Sequence, residues 1–272
     1  MPEFPEVETT RKSLESKVLN RTFVDVWTDE PKIIKKDWSS FRKEIIGKKI
    51  VRIWRKGKNL IFDLSGGLSM LTHLKLTGHY LYDRWNEKDP MNSFVHAKFI
   101  LDNGKTLALS DLRKFAKIEL KKKEEIEKDL EKIGPDPFQI GSEEFEAKIR
   151  KKRGKIKQVL MDQTVVSGIG NIYSDEILWE SNVHPERKTA DISEKEMQDI
   201  YKSSKKILKK ALEAGGTSIS DFRNTEGIKG KFGEIKKAYG REGQKCFRCS
   251  SLIKRKKIGQ RSAHFCPSCQ KL

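Results

Sequence analysis

No apolar run in the 272-residue chain approaches the roughly 18 residues needed to cross a bilayer, so a membrane span is not expected. The opening residues, Met1-Pro2-Glu3-Phe4-Pro5-Glu6, lack the basic and apolar regions of a secretory signal, and a cytoplasmic location follows as the expectation. Acidic charge is also scarce: 39 Asp+Glu stand against 57 Lys+Arg, a formal net charge of +18. That imbalance favours a polyanionic partner, because each phosphate neutralised releases a condensed counterion. DNA, RNA and an anionic membrane surface all satisfy it. Hydrophobic residues make up only 36 % of the chain, which is lean but sufficient for a core, so wholesale disorder is not expected. Repeats and low-complexity tracts are absent, and the length alone suggests one to two domains of about 150 residues each.

Cysteine is missing until the last 27 residues, where all four fall as Cys246-x2-Cys249 and Cys266-x2-Cys269. Two such pairs in a reducing compartment point to four thiolates around one tetrahedral zinc ion rather than to disulfides. A tail this short cannot build a useful core, so the metal would supply its folding energy. Residues 240–272 carry nine Lys+Arg against one acid, Glu242. Leu252–Ile258 and Arg261–Phe265 read as a β-hairpin turning near Gly259-Gln260. A zinc-anchored hairpin with basic residues suits a reader of nucleic-acid backbone or groove; a structural ribbon with solvated lysines is the plainer alternative.

The first 120 residues read mainly as short strands: 50–54, 59–64, 68–71, 97–101 and 106–109, separated by turn signals at Gly57, Gly66-Gly67 and Asp102-Asn103-Gly104. Many short strands with tight turns predict a sandwich or barrel. Val7, Leu14 and Val18 recur at helical spacing and predict a helix over 6–18. Lys121–Ile133 reads as a charged surface helix ended by Gly134-Pro135-Asp136-Pro137, which marks a domain boundary. Helical patterns follow over 145–150, 156–162, 174–181 and 193–214, with Ser193 and Glu196 forming a capping-box signature. Thr217–Lys237 reads as a polar, glycine-punctuated loop. Gly168-Ile169-Gly170-Asn171 opens a helix, and Asn171 suits either a cap or a phosphate contact.

Aminopeptidase normally removes Met1 before a residue as small as Pro2. The secondary amine so freed titrates near 7.7–8 rather than about 10.4, so an appreciable fraction of it is an uncharged nucleophile at neutral pH. Such an amine can attack a sugar C1′ and form an iminium, with Glu3 beside it to manage protons.

Met1–Thr9, Asp162-Gln163, Gly168–Tyr173, Tyr239–Gly243 and the four-cysteine tail occur in the order found in the formamidopyrimidine-DNA glycosylases, which the chain resembles from end to end. The resemblance implies a multidomain α+β protein. Its parts are an N-terminal β-sandwich with a leading helix (1–134), a helix–two-turn–helix domain with a lesion-capping loop (135–237), and a C-terminal four-cysteine zinc-finger β-hairpin (238–272). It implies a base-excision repair enzyme, monomeric and nucleoid-associated, acting on double-stranded DNA that contains oxidised bases or abasic sites. Such an enzyme excises 8-oxoguanine and formamidopyrimidines, then cuts the abasic site by β,δ-elimination. Pro2 matches the nucleophile, Glu3 the acid/base, and Lys58 a lysine that contacts phosphate beside the lesion and assists catalysis. Arg261 matches the zinc-finger arginine clamping the phosphates around the lesion, Asn171 a phosphate-binding asparagine, and His73 a backbone-contacting histidine. Arg113 and Phe115, with Leu76 where the family usually has Met, match the residues that fill the gap left by a flipped base. The capping loop matches Thr217–Lys231, with no single residue assigned. The metal is one structural zinc on Cys246, Cys249, Cys266 and Cys269. Two other readings share the scaffold: an endonuclease VIII-type enzyme for oxidised pyrimidines, which typically has Gly where this chain has Phe4, and a non-catalytic nucleic-acid-binding zinc protein.

The charge reading divides the cations into a few that grip phosphate and many that only steer. Arg261→Ala should cripple excision, whereas neutralising any one of Lys121, Lys122 or Lys123 should barely change affinity or its salt slope in a titration against duplex DNA.

Overall fold

The computed structural model describes residues 1–83, 93–218 and 222–272. The chain forms two compact units, Met1–Lys132 with Ala214–Gly233, and Ile133–Glu213 with Glu234–Leu272. The architecture is mixed α+β: a β-sandwich, a helical segment and a cysteine-bearing hairpin. Among the described residues, no helix is long and apolar enough to cross a membrane.

The first unit opens with helix α1, Phe4–Val18, whose buried Val7, Leu14 and Val18 lie on one face. Then follow β1 (Phe23–Thr28), α2 (Trp38–Ile45), β2 (Ile50–Lys56), β3 (Asn59–Leu64), β4 (Leu68–His73), β5 (His79–Tyr82), β6 (Val95–Leu101), β7 (Thr106–Ser110), β8 (Lys117–Lys122) and α3 (Lys123–Leu130). The strands make two antiparallel four-stranded sheets, ordered β1-β6-β7-β5 and β2-β3-β4-β8. Their inner faces share one core, in which Phe99 packs on Phe23 and Phe41 while Phe62 meets Tyr80 edge-on across the sheets. The Tyr80 hydroxyl stays satisfied there through Thr72 at 2.8 Å.

Register decides where the loops emerge. Lys56 pairs with Asn59, Asn59 with His73, and His73 with Lys117, so the Gly57-Lys58 turn, His73 and the start of β8 share one end of that sheet. In the other sheet His79 pairs with Ser110. The connections 74–78 and 111–116 cross from sheet to sheet, and these pairings put both at that same end of the sandwich.

Four of these elements escape the sequence patterning. In β1 half of the apolar residues face out, with Val24 and Trp27 exposed, which blurs the alternation. Strand β5 is only four residues long, and α2 is eight, fixed by its Asp37 cap on the Ser40 N–H at 2.9 Å. Strand β8 is not singled out, and its last two residues, Lys121 and Lys122, fall in the charged stretch that reads as helix; the helix begins only at Lys123.

The second unit holds α4 (Ser142–Arg150), α5 (Ile156–Met161), α6 (Asn171–Glu180) and α7 (Glu194–Glu213). A short helix, α8 (Phe232–Ile235), follows within the segment read as loop, and the hairpin β9 (Lys254–Ile258) and β10 (Arg261–Phe265) closes the chain. The capping box ahead of α7 is present: Ser193 Oγ accepts the Glu196 N–H and the Glu196 carboxylate accepts the Ser193 N–H. Helix α6 is buried along nearly its whole length. Its Glu176 carboxylate accepts the N–H groups of Lys237, Ala238 and Tyr239 at 2.7–2.8 Å, which moors the chain leading into the hairpin.

Because Phe99 is fully buried among aromatic neighbours, Phe99→Ala should destabilise the first unit by about 3–5 kcal/mol, read as a lowered urea midpoint.

Candidate active site

At the head of α1 Pro2 and Glu3 are both buried while Met1 is exposed. Glu3 is the cap residue, and Pro5 falls in the first turn, where a missing N–H costs nothing. The Glu6 side chain accepts the Glu3 N–H at 2.7 Å through one oxygen. Its other oxygen accepts the Thr217 N–H at 2.7 Å. Glu6, itself 1 % exposed, thus joins the chain's first turn to the base of segment 217–231. Gly216 stands beside it at φ +84°, and a Cβ there would lie 2.8 Å from the same oxygen. The far arm of this segment is moored as well. Tyr82 N–H donates to the Thr225 carbonyl at 2.9 Å, Lys17 reaches Thr225 and Glu226 at 2.9 Å, and Ser13 bonds Thr225. Residues 219–221 of the expected capping loop lie outside the described residues.

Lys58 is the second residue of the two-residue turn between β2 and β3, with Gly57 supplying the positive φ that such a turn needs. Only 7 % of Lys58 is exposed. Across the strand pair, the His73 Nδ1 accepts the Lys75 N–H at 3.0 Å, so in the neutral ring the proton sits on Nε2. Burial, with help from Lys75, Lys58 and Lys117, pushes the His73 pKa down to about 4. His73 therefore presents a neutral N–H donor at physiological pH.

The two crossing connections are locked together by one carboxylate. Asp111, fully buried, accepts the Ala116 N–H at 2.7 Å and bonds the Thr77 hydroxyl. Thr77 in turn accepts the Arg113 N–H at 3.1 Å. Leu76 and Phe115 consequently line one cleft of about 420 Å³ together with Met1, Lys32, Lys35, Lys75, Lys114 and Lys117. Phe115 is 49 % exposed, and the Arg113 guanidinium lies 4.8 Å over its ring. A half-exposed aromatic beside a leucine in a lysine-lined cleft has the form of an apolar wedge set in a phosphate-binding surround.

In the second unit the cap of α6 is Gly170, not Asn171. Asn171 is the first helical residue, and its Oδ1 is buried without a hydrogen-bond partner among the described residues. Arg261 is exposed at the start of β10 and borders a cleft of about 200 Å³ with Lys157, Gln158, Met161 and Asp162. A buried network links these places. Asp175 on α6 pairs with Lys157 at 2.5 Å and accepts both the backbone N–H and the Nδ1 side of His264 on β10, at 2.8 and 2.9 Å. Lys157 also donates to the Asn171 carbonyl at 3.3 Å.

The four cysteine sulfurs lie within 4.8 Å of one another. Zinc–sulfur bonds of about 2.3 Å in a tetrahedron place sulfurs under 4 Å apart, so the set fits one structural zinc ion. Backbone N–H groups of Arg248 and Cys269 point at Cys246 and Cys266, the usual support for bound thiolates.

Sequence reasoning missed Glu6, Thr77 and Asp111. Each ties its own turn to a segment distant in sequence, Glu6 to Thr217 and Thr77 to Asp111 and Arg113, and spacing carries no trace of those links.

Three family models match the chain. They describe a formamidopyrimidine-DNA glycosylase N-terminal domain (residues 1–118), a formamidopyrimidine-DNA glycosylase H2TH domain (133–223) and a zinc finger found in FPG and IleRS (243–272). The formamidopyrimidine-DNA glycosylase of Streptococcus mutans is 38 % identical, with all of both chains covered. The Lactococcus lactis Fpg solved with abasic-site DNA superposes with a TM-score of 0.90 at 34 % identity, covering 99 % of this chain and 100 % of that one. A MutM solved with DNA containing carbocyclic 8-oxo-G superposes at 0.91, also 34 % identical, with full coverage of both chains.

The low His73 pKa has a consequence for stability. Its unfolded value, near 6.5, lies above the folded one, so the unfolded chain binds the extra proton first and stability falls as pH drops from about 6.5 towards 4. His73→Gln should flatten that part of the pH–stability curve, measured by thermal melts.

Proposed function

Because this chain belongs to the formamidopyrimidine-DNA glycosylase family, a class of base-excision repair enzymes, we propose that it flips oxidised purines out of duplex DNA and excises them through an iminium on Pro2. The observation that carries this reading is the burial of Pro2-Glu3 at a capped helix head. An incidental N-terminal tail would be solvated and mobile. Here the Glu6 carboxylate holds the Glu3 N–H, in the peptide that joins Pro2 to Glu3, and the Glu3 carboxyl accepts the Glu6 N–H, which fixes the two residues beside each other as a nucleophile and its proton manager must be.

The substrate is double-stranded DNA carrying 8-oxoguanine, a formamidopyrimidine or an abasic site; solved relatives are complexes with DNA of these kinds. Leu76 and Phe115 enter the base stack and Arg113 hydrogen-bonds the orphaned base, offsetting an unstacking cost of a few kcal/mol. Leucine fills about the volume of the methionine usual at this place but is stiffer, so the wedge adapts less. Segment 217–231 covers the flipped lesion. With Met1 removed, the Pro2 nitrogen attacks C1′, the glycosidic bond breaks, and Glu3 supplies the proton exchange that lets the base leave. The resulting iminium acidifies the C2′ proton. Its loss starts the β-elimination that breaks the 3′ C–O bond, and δ-elimination then breaks the 5′ side. Lys58, Asn171, Arg261 and neutral His73 hold flanking phosphates, positioning the sugar and neutralising charge. The zinc site of four cysteines keeps the Arg261 hairpin folded and takes no part in the chemistry. The protein works as a monomer associated with the nucleoid, and its three functional segments are 1–134, 135–237 and 238–272.

Borohydride trapping tests the mechanism. Protein lacking Met1 should form a covalent adduct with an 8-oxoguanine·C duplex, and Pro2→Gly should reduce trapping by orders of magnitude. Failure of the mature protein to trap would refute the enzyme reading. Faster release of thymine glycol than of 8-oxoguanine would reassign the substrate to oxidised pyrimidines.

A further inference from the structure

Arg55, near the end of β2, has a side chain only 6 % exposed. A guanidinium so buried must have its donors satisfied, and its partners lie on two segments far apart in sequence. Its Nη1 donates to the Gly57 carbonyl at 2.9 Å. Its Nε donates to Glu8 on α1 at 3.1 Å. Its charged centre lies 4.2 Å from the centroid of the Phe4 ring, and Phe4 directly follows Glu3. Glu8 also binds Arg11. Burial alone would raise the Glu8 carboxyl, but the two arginines outweigh it and hold the group below the usual carboxylate range, so it remains a full anion opposite Arg55.

We propose that Arg55 is a positioning residue for the reaction: by gripping the Gly57 carbonyl and the Phe4 face together, it sets the Lys58 amine in register with the Pro2–Glu3 end of α1. The inference rests on the roles read above for Pro2, Glu3 and Lys58. The two-residue turn that carries Lys58 has no side chain on Gly57 to brace its backbone, and glycine leaves that backbone the most conformational freedom. Arg55 removes that freedom from one side and references the turn to α1 from the other. It touches no reacting atom, so its effect passes through Lys58. Lysine cannot replace it, since an ammonium has neither the fixed fork for carbonyl and carboxylate nor the plane that stacks on an aromatic ring. The same contact accounts for an aromatic residue at position 4, whose ring is 2 % exposed and lies under the guanidinium.

The test is a double-mutant cycle in single-turnover borohydride trapping on an 8-oxoguanine duplex, with affinity measured separately on an uncleavable abasic analogue. Arg55→Ala should slow trapping by about tenfold to a hundredfold and change affinity less than about twofold. Arg55→Lys, which retains the charge and the reach to Glu8, should recover only part of the rate. In a Lys58→Ala background the further loss from Arg55→Ala should shrink to under about twofold, because the group it positions is gone. Full multiplicative loss in that background, wild-type rates for Arg55→Lys, or affinity falling as far as rate would each overturn the proposal. If Arg55→Ala does not fold, Arg55→Lys at wild-type melting temperature carries the same cycle. A Lys58→Ala enzyme as fast as wild type would instead overturn the role given to Lys58, and the Arg55 proposal with it.

Discussion

A chain terminus that is buried must find partners for its backbone groups without the help of water, and the first turn of a helix is the hardest place to do so, because its N–H groups have no intrahelical acceptors. The Glu6 carboxylate resolves this for the head of α1. One oxygen takes the Glu3 N–H and the other takes the N–H of Thr217, so a single buried anion satisfies two donors more than two hundred residues apart. The helix dipole favours a negative charge at this end. Glycine at 216 follows from the same contact, since any side chain there would collide with the carboxylate. The order of Pro2 and Glu3, and the place where the base of segment 217–231 is tied to α1, both depend on this bridge.

The same device recurs through a strongly basic chain. Asp111 organises the connection from β7 to β8 and ties it to Thr77. Asp175 joins α6 to β10 and to Lys157. Glu176 collects three successive backbone N–H groups ahead of the hairpin. In each case an almost fully buried carboxylate is matched by fixed donors, which reduce its desolvation cost; at Glu176 burial still outweighs them and raises the carboxyl. A few of the scarce acids therefore work inside, at junctions, while many of the abundant lysines stay at the surface. Lys32, Lys35, Lys75, Lys114 and Lys117 around the Leu76–Phe115 cleft show the result, a strongly positive rim on an apolar floor. Lys121, by contrast, is neutralised locally by Asp129 and Glu119, in keeping with charge that steers without gripping.

Much of this protein was legible in its residues. The two CxxC pairs specify their own chemistry, because a tetrahedral thiolate site needs only four sulfurs at workable spacing. The mixed α+β class, the strands flanking Gly57 and the capping box at Ser193 followed from local rules of alternation, turn and cap, which act over a few residues. Pro2 stood out as a candidate because an amine at a chain end, once Met1 is removed, is nucleophilic without any fold. The resemblance from the first residues to the cysteine tail supplied the roles that composition alone left open. What the sequence could not yield is whatever depends on register and on partners remote in the chain. Strand pairing alone brings Lys58, His73 and Lys117 to one end of a sheet. Side chains such as Glu6, Arg55, Asp111 and Asp175 look like ordinary charged residues until folding supplies donors, rings and carbonyls around them. Local propensity writes the elements and the reactive groups; only tertiary packing, by deciding which buried charges meet which backbone atoms, holds those groups still.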